Sequence, residues 1–179
     1  QKPPSGQVDY RSHFGLGRIE FWRGFCLDST SWDAAETNYQ RVIDDFNQIA
    51  KPPSQVTDIA ALAHTDLGFM ALQKSEAYRS SQDAARQAQA AELLDDALDH
   101  YRLVFSLLAG SGTAEGVQHG IATMPYLLTA LCIAGKGEEA EATLNQFVDG
   151  LAQGDSTRGR IIQRMNAGLW EQCTQRSGS

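Results

Sequence analysis

The sequence predicts an all-α protein built from three antiparallel helical hairpins and a C-terminal capping helix, about seven helices in all. Apolar residues recur at helical spacing along most of the chain, and no segment makes a convincing strand. A short phrase also recurs three times, an alanine followed by large residues four and seven positions later. Those positions share one helix face, where the alanine lets a neighbouring helix approach. The phrases are Ala35-Tyr39-Val42, Ala97-Tyr101-Val104 and Ala140-Leu144-Phe147.

Composition narrows the range of partners. The chain has 179 residues, enough for one domain or a short solenoid. With 22 acidic and 15 basic residues it carries a formal net charge of -7, and no run of Lys or Arg suggests nucleic-acid binding. The stretch richest in apolar residues, 126–134, is too short to span a membrane. The odd cysteine count, with Cys26, Cys132 and Cys173 widely separated, predicts neither a disulfide framework nor a zinc site.

The first hairpin is predicted at residues 12–50, after an N-terminal linker at 1–11. The linker is polar, contains Pro and Gly and lacks an initiator Met, so we expect a piece of a longer protein. The first helix of the hairpin carries Phe14, Gly17, Phe21 and Gly24 in an apolar pattern with glycines for close approach. Two prolines after residue 51 end its second helix.

The second and third hairpins are predicted at 57–109 and 117–152. Between the helices of the second hairpin, the polar, alanine-rich segment 79–89 is consistent with a loop or a helical extension. A terminal helix at 157–173 has enough apolar surface to cover the end of the stack, followed by a tail at 174–179. Residues 12–173 therefore form one predicted helical domain.

These residues resemble the tetratricopeptide repeat (TPR), whose hairpins carry a Leu-Gly pair in the first helix and an alanine and an aromatic in the second. The pairs here are Leu16-Gly17 and Leu67-Gly68, with Leu127-Leu128 in the third hairpin. The resemblance implies a TPR-like right-handed superhelix. Successive phrases are 62 and 43 residues apart instead of the usual repeat of about 34, so an irregular helical bundle is the alternative.

The resemblance also implies a ligand groove lined by the first helix of each hairpin. Aromatic rings interleaved with arginines suit an extended peptide, acidic or carboxylate-bearing, because rings supply contact area and guanidinium groups bind carboxylates. The alternative for the aromatic residues is ordinary core packing. The candidate groove residues are Arg11, Phe14, Arg18, Phe21, Trp22, Thr65, Phe69, Gln73 and Thr129.

No catalytic or metal site is expected. Asp96 and His100 share a helix face at metal-ligand spacing, but no third ligand is evident and a solvated face explains them. The glycines in 110–116 lack the Lys and Ser/Thr of a phosphate loop. We therefore expect neither an enzyme nor a cofactor.

The function these patterns predict is a non-catalytic scaffold for protein–protein interaction that binds a peptide or protein segment. One alternative is a regulatory or sensor segment of a larger enzyme or signalling protein. Another is a structural oligomerisation module, a homodimer in which Trp170 and the terminal helix pack against a second copy.

Overall fold

The computed structural model describes residues 10–27, 31–111, 113–165 and 167–175, and the structural statements below refer to these residues. They form eight helices and contain no strand, which confirms the all-α prediction. The helices are α1 (Tyr10–Cys26), α2 (Ser31–Asn47), α3 (Ser54–Arg79), α4 (Ala84–Ser111), α5 (Ala114–Ile133), α6 (Gly137–Asp149), α7 (Gly154–Arg164) and α8 (Ala167–Gln175).

The first six helices pair as three hairpins in chain order: α1 with α2, α3 with α4, and α5 with α6. Neighbouring hairpins meet where α2 packs on α3 and α4 packs on α5. The first helices of the hairpins also touch one another, α1 against α3 and α3 against α5. We call the surface that α1, α3 and α5 form together the A-helix face. It is the surface on which the sequence predicts a groove.

The alanine phrases lie in the core, as their helical spacing predicts. The alanine and the following Tyr or Leu of each phrase are fully buried. Tyr39 and Tyr101 each lie against a glycine of the preceding helix. A Cβ at Gly17 would lie 2.7 Å from Tyr39 Cε1, and a Cβ at Gly68 would lie 2.9 Å from Tyr101 Cε1. In both Leu-Gly pairs the tyrosine ring of the partner helix therefore leaves no room for a side chain larger than that of glycine.

In the third hairpin a glycine also packs against an aromatic ring, but it lies at a different position from the one that the sequence predicts. Leu128, expected to occupy the place of the glycine, is fully buried. The glycine that receives a ring is Gly120, where a Cβ would lie 3.1 Å from the Phe147 ring. Pro125 lies well inside α5. The turn to α6 is tight because Gly135 adopts a φ of 74°, a left-handed conformation that glycine takes without strain.

Two predicted boundaries change. The polar segment 79–89 contains only a short break, because α3 continues to Arg79 and α4 begins at Ala84. The single terminal helix predicted at 157–173 is two helices, since α7 ends at Arg164 and α8 begins at Ala167. Residues 1–9 of the predicted linker and 176–179 of the predicted tail lie outside the described residues.

The expectation of no disulfide is wrong. Cys132 on α5 and Cys173 on α8 form a disulfide with their Cα atoms 5.2 Å apart. The break between α7 and α8 allows α8 to fold back onto α5, which brings together two cysteines 41 residues apart. Trp170, on α8, packs on the same core as Leu128. The C-terminal helices therefore cover the third hairpin, as the sequence predicts for this end.

Among the described helices, none combines the length and the apolar character needed to cross a bilayer.

Candidate functional site

Aromatic side chains form a continuous row across the A-helix face. Trp22 and Phe25 on α1 have ring centroids 5.9 Å apart, and Phe25 is 6.1 Å from Phe69 on α3. Phe69 in turn lies 5.6 Å from Tyr126 on α5. Trp22, Phe25 and Tyr126 remain 50%, 55% and 40% exposed. We call these four residues the aromatic row; three helices present it to solvent.

A cavity of about 700 Å³ adjoins the row between α3, α5 and the C-terminal helices. Phe69 and Tyr126 form one of its walls, and Met165 and Leu169 contribute apolar surface from the opposite side. Polar groups also line it, among them Arg164 and Glu76. Four of the predicted groove residues line this one cavity: Thr65, Phe69, Gln73 and Thr129.

Beside the row, Arg18 belongs to a buried polar cluster that joins the first two hairpins. Arg18 Nε lies 3.6 Å from Asp66 Oδ2, and Tyr39 Oη donates a 2.6 Å hydrogen bond to the same oxygen. Burial raises the pKa of Asp66, and the Tyr39 hydrogen bond and the Arg18 charge lower it in part. The Arg18 side chain stays 37% exposed, so its remaining N–H groups can reach a ligand.

A second group of polar side chains surrounds Thr65, which lines the cavity. Its hydroxyl lies 2.8 Å from His119 Nε2 and 3.4 Å from Thr123 Oγ1, and it donates to the Ala61 carbonyl. Burial lowers the pKa of His119, which keeps its imidazole neutral at neutral pH. The cavity wall can therefore offer a ligand neutral hydrogen-bonding groups here.

The other predicted groove residues lie at the edge of this surface or beneath it. Arg11 donates a 2.7 Å hydrogen bond to Gln55 Oε1 on α3, and Phe14 packs 6.0 Å from the Tyr39 ring. Within the cavity lining, Gln73 donates a 3.2 Å hydrogen bond to Glu76. Phe21 is only 6% exposed and supports Phe69 from below at 5.7 Å. The structure thus corrects the placement of Phe21, which is a core residue because its face of α1 packs against α2 and α3.

Sequence reasoning missed three members of this surface. Phe25 follows Trp22 by three positions, so helical spacing could have placed it on the same side. Tyr126 directly precedes the Leu127-Leu128 pair, a position that the TPR resemblance does not place in the groove. Arg164 enters the cavity only because α7 and α8 fold back, which no local pattern indicates.

His100, which shares a helix face with Asp96, lies against another histidine. His100 Nδ1 lies 2.9 Å from His64 Nδ1 across the α3–α4 contact. Within the described residues, no group of three or more His, Cys, Asp or Glu side chains is placed to hold a metal ion. The exposed rings, the arginines and the neutral hydrogen-bonding groups of the A-helix face are suited to non-covalent recognition.

Comparisons with known proteins identify no relative. No family model, no curated protein and no solved structure gives a significant match to the chain.

Proposed function

We propose that this protein is a non-catalytic interaction scaffold of the TPR-like type, and that its A-helix face binds an extended peptide or protein segment. The observation that carries the proposal is the aromatic row, which continues across three successive helices and stays open to solvent. Exposed aromatic rings supply much of the binding energy at protein interfaces because they bury large areas with few rotatable bonds.

The adjoining cavity supports an extended ligand. A segment lying along the row reaches from α1 to α5, and one of its side chains can enter the cavity of about 700 Å³ beside Phe69 and Tyr126. The cavity walls are mixed, with apolar groups from Met165 and Leu169 and polar groups from Thr129 and Gln73. This composition suits an apolar anchor flanked by peptide groups that need hydrogen bonds.

The charged groups indicate an acidic or carboxylate-bearing ligand. Arg18 stands at the α1 end of the face, and Arg164 lies at the cavity. A guanidinium presents five N–H donors, so Arg18 can keep its pairing with Asp66 and still bind a ligand carboxylate. Glu76 also lines the cavity, so we expect the ligand's acidic group near one of the arginines and its apolar anchor deeper in the cavity.

A displayed library of random peptides of about twelve residues tests the proposal, since an extended segment of that length spans the face. We expect enriched peptides to combine an aromatic or large aliphatic residue with Asp or Glu. Their affinities are then measured by isothermal titration calorimetry against variants. Tyr126→Ala and Arg18→Gln should each weaken binding by about tenfold or more, the loss typical of a residue central to an interface.

Matched controls are available on α4. Leu103→Ala removes an apolar side chain as exposed as Tyr126, and Arg102→Gln removes an arginine that pairs with Glu139 at 2.7 Å. Both should leave affinity unchanged, and circular dichroism should show parental helicity in all four variants. The proposal fails if no peptide is enriched, or if the enriched peptides bind the Tyr126→Ala and Arg18→Gln proteins as they bind the parent.

A further inference from the structure

The helix α8 supplies part of the cavity wall, although few of its own side chains are buried. Leu169 on α8 lines the cavity beside Met165. Among the described side chains of α8, only Cys173 is buried, whereas Leu169, Trp170 and Thr174 are partly exposed and the rest are exposed. A helix of nine residues is too short to be stable in water without such contacts. The position of α8 therefore depends strongly on Cys173.

The neighbouring helix α7 is held by packing. Thr157 and Ile161 of α7, and Met165 directly after it, are buried. Arg158 also donates a hydrogen bond to Asn145 on α6. Packing and this hydrogen bond can hold α7 on the third hairpin without help from α8.

The Cys132–Cys173 disulfide lies one helical turn from the cavity on both helices that it joins. Thr129 precedes Cys132 by three positions on α5, and Leu169 precedes Cys173 by four positions on α8. Residues three or four apart share a helix face, and both Thr129 and Leu169 line the cavity. The bond therefore holds the α8 side of the cavity against the α5 side.

Thiol exchange can break this bond. Cys132 and Cys173 are 9% and 8% exposed, among the higher values in the core, and short helices with few buried side chains open locally at low cost. One thiolate of a dithiol attacks a cysteine sulfur and forms a mixed disulfide, which the second thiolate of the dithiol then resolves. The dithiol supplies two electrons and two protons and becomes a disulfide, and Cys132 and Cys173 become thiols.

We propose that the Cys132–Cys173 disulfide is a redox control on the cavity. In the oxidised protein the bond fixes α8 to α5, and Leu169 completes the cavity wall. When a dithiol reduces the bond, α8 detaches while α7 and the three hairpins keep their packing. The cavity then loses Leu169 and binds its ligand more weakly, an effect that rests on the function proposed above. Exchange with an oxidised dithiol reverses the step.

Hydrogen exchange of the intact chain, followed by mass spectrometry before and after treatment with dithiothreitol, tests the release of α8. We expect the α8 amides to exchange at least about tenfold faster in the reduced protein, and those of α3 and α7 to change by no more than about twofold. The double variant Cys132→Ser/Cys173→Ser should show the same pattern without reductant and no further change with it. Cys26→Ser, which removes an exposed free thiol, should respond as the parent does.

Two results of this experiment would overturn the proposal. Unchanged exchange of α8 after reduction would mean that packing holds α8 without the bond. Faster exchange throughout α1–α6 would mean that the bond supports the whole fold and not one helix. The parent protein, reduced after it has folded, gives this comparison even if the double variant does not fold.

Peptide affinity gives a second readout. A peptide enriched from the displayed library should bind the reduced protein about tenfold more weakly than the oxidised protein, the loss expected when one apolar side chain leaves a contact. Leu169→Ala should bind weakly in both redox states, whereas Leu103→Ala on α4 should keep the full difference between them.

The two readouts separate this proposal from the proposed function. Equal affinity of the oxidised and reduced proteins for the peptide would overturn the redox control and leave the peptide-binding function intact. If no peptide is enriched, the proposed function fails, and the exchange of the α8 amides still decides whether reduction releases α8 from the cavity.

Discussion

Tyr39 on α2 donates a 2.6 Å hydrogen bond to Asp66 on α3, and this bond joins the first hairpin to the second. Both groups are buried, and the phenol is held in place by Gly17 on one side of its ring. Tyr101 occupies the corresponding place in the second hairpin and is equally buried. Among the described residues, its hydroxyl has no hydrogen-bond partner. Tyr39 and Tyr101 therefore occupy equivalent positions, but only the Tyr39 hydroxyl makes a hydrogen bond within the described residues.

Removing the Tyr39 hydroxyl should destabilise the fold, and removing the Tyr101 hydroxyl should not. Tyr39→Phe leaves the buried Asp66 without its donor, which costs about 1–3 kcal/mol in the free energy of unfolding. Tyr101→Phe removes a buried hydroxyl with no partner, so stability should stay the same or rise. Urea unfolding followed by circular dichroism gives both values. Equal losses of unfolding free energy in Tyr39→Phe and Tyr101→Phe would show that the Tyr39–Asp66 hydrogen bond does not stabilise the fold.

Replacing a glycine that packs against an aromatic ring with alanine should lower the free energy of unfolding. The same change at an exposed glycine with no neighbours should raise it. Gly68→Ala places a Cβ 2.9 Å from the buried Tyr101 ring, so we expect a loss of about 1–3 kcal/mol from overpacking. Gly159 on α7 is exposed and has nothing within 4 Å of its Cβ position. Gly159→Ala should therefore gain about 0.4–1 kcal/mol through the unfolded state.

Thermal and urea unfolding of the two alanine variants measure these signs directly. A gain for Gly68→Ala would mean that the Tyr101 ring can move away from α3 at little cost. In that case the contact between Gly68 and Tyr101 would not explain the glycine.

The buried histidine pair should make stability depend on pH. Burial, assisted by His100, lowers the pKa of His64 from 6.5 to about 4. Between these values the unfolded chain binds a proton on His64 that the folded protein does not, so stability falls as pH falls from 6.5 towards 4. The loss is at most about 1.4 kcal/mol per pH unit for this one group.

The contribution of His64 is isolated by comparing the parent with His64→Gln across this window. His100 and His119 also have pKa values lowered by burial, and the raised pKa of Asp66 has the opposite effect on the slope. His119 and Asp66 are common to both proteins, whereas His100 loses its contact with the His64 ring, so the difference between the two slopes reports the histidine pair. Parallel curves of unfolding free energy against pH would show that His64 does not titrate in this way.

Helical spacing correctly predicted which side chains of a single helix are buried. The Ala35-Tyr39 and Ala97-Tyr101 spacings placed their side chains in the core, because residues four apart share a face and only one face of each helix is covered. The resemblance to tetratricopeptide repeats also grouped Thr65, Phe69 and Gln73, which line one cavity. Contacts within a helix or between adjacent helices are therefore accessible from sequence.

What could not be predicted depends on helices far apart in the chain. The Tyr39–Asp66 bond spans 27 residues and needs the packing of α2 on α3, which no periodicity specifies. Arg164 reaches the cavity only because α7 and α8 fold back. The aromatic row was predicted only in part, because Phe25 and Tyr126 join it through contacts with Phe69 on a different helix.

The disulfide should contribute strongly to stability because it closes a long loop. Cys132 and Cys173 are 41 residues apart, and a cross-link over that length lowers the entropy of the unfolded chain by an amount worth about 4 kcal/mol. Cys173→Ser should lose about this much free energy of unfolding in non-reducing urea, whereas Cys26→Ser, which changes an exposed free thiol, should unfold like the parent. Thiol titration of the oxidised parent should detect Cys26 alone before reduction and all three cysteines after it. If Cys173→Ser has the parental urea midpoint, or if three thiols titrate without reductant, the cross-link does not form and α8 is held by packing alone.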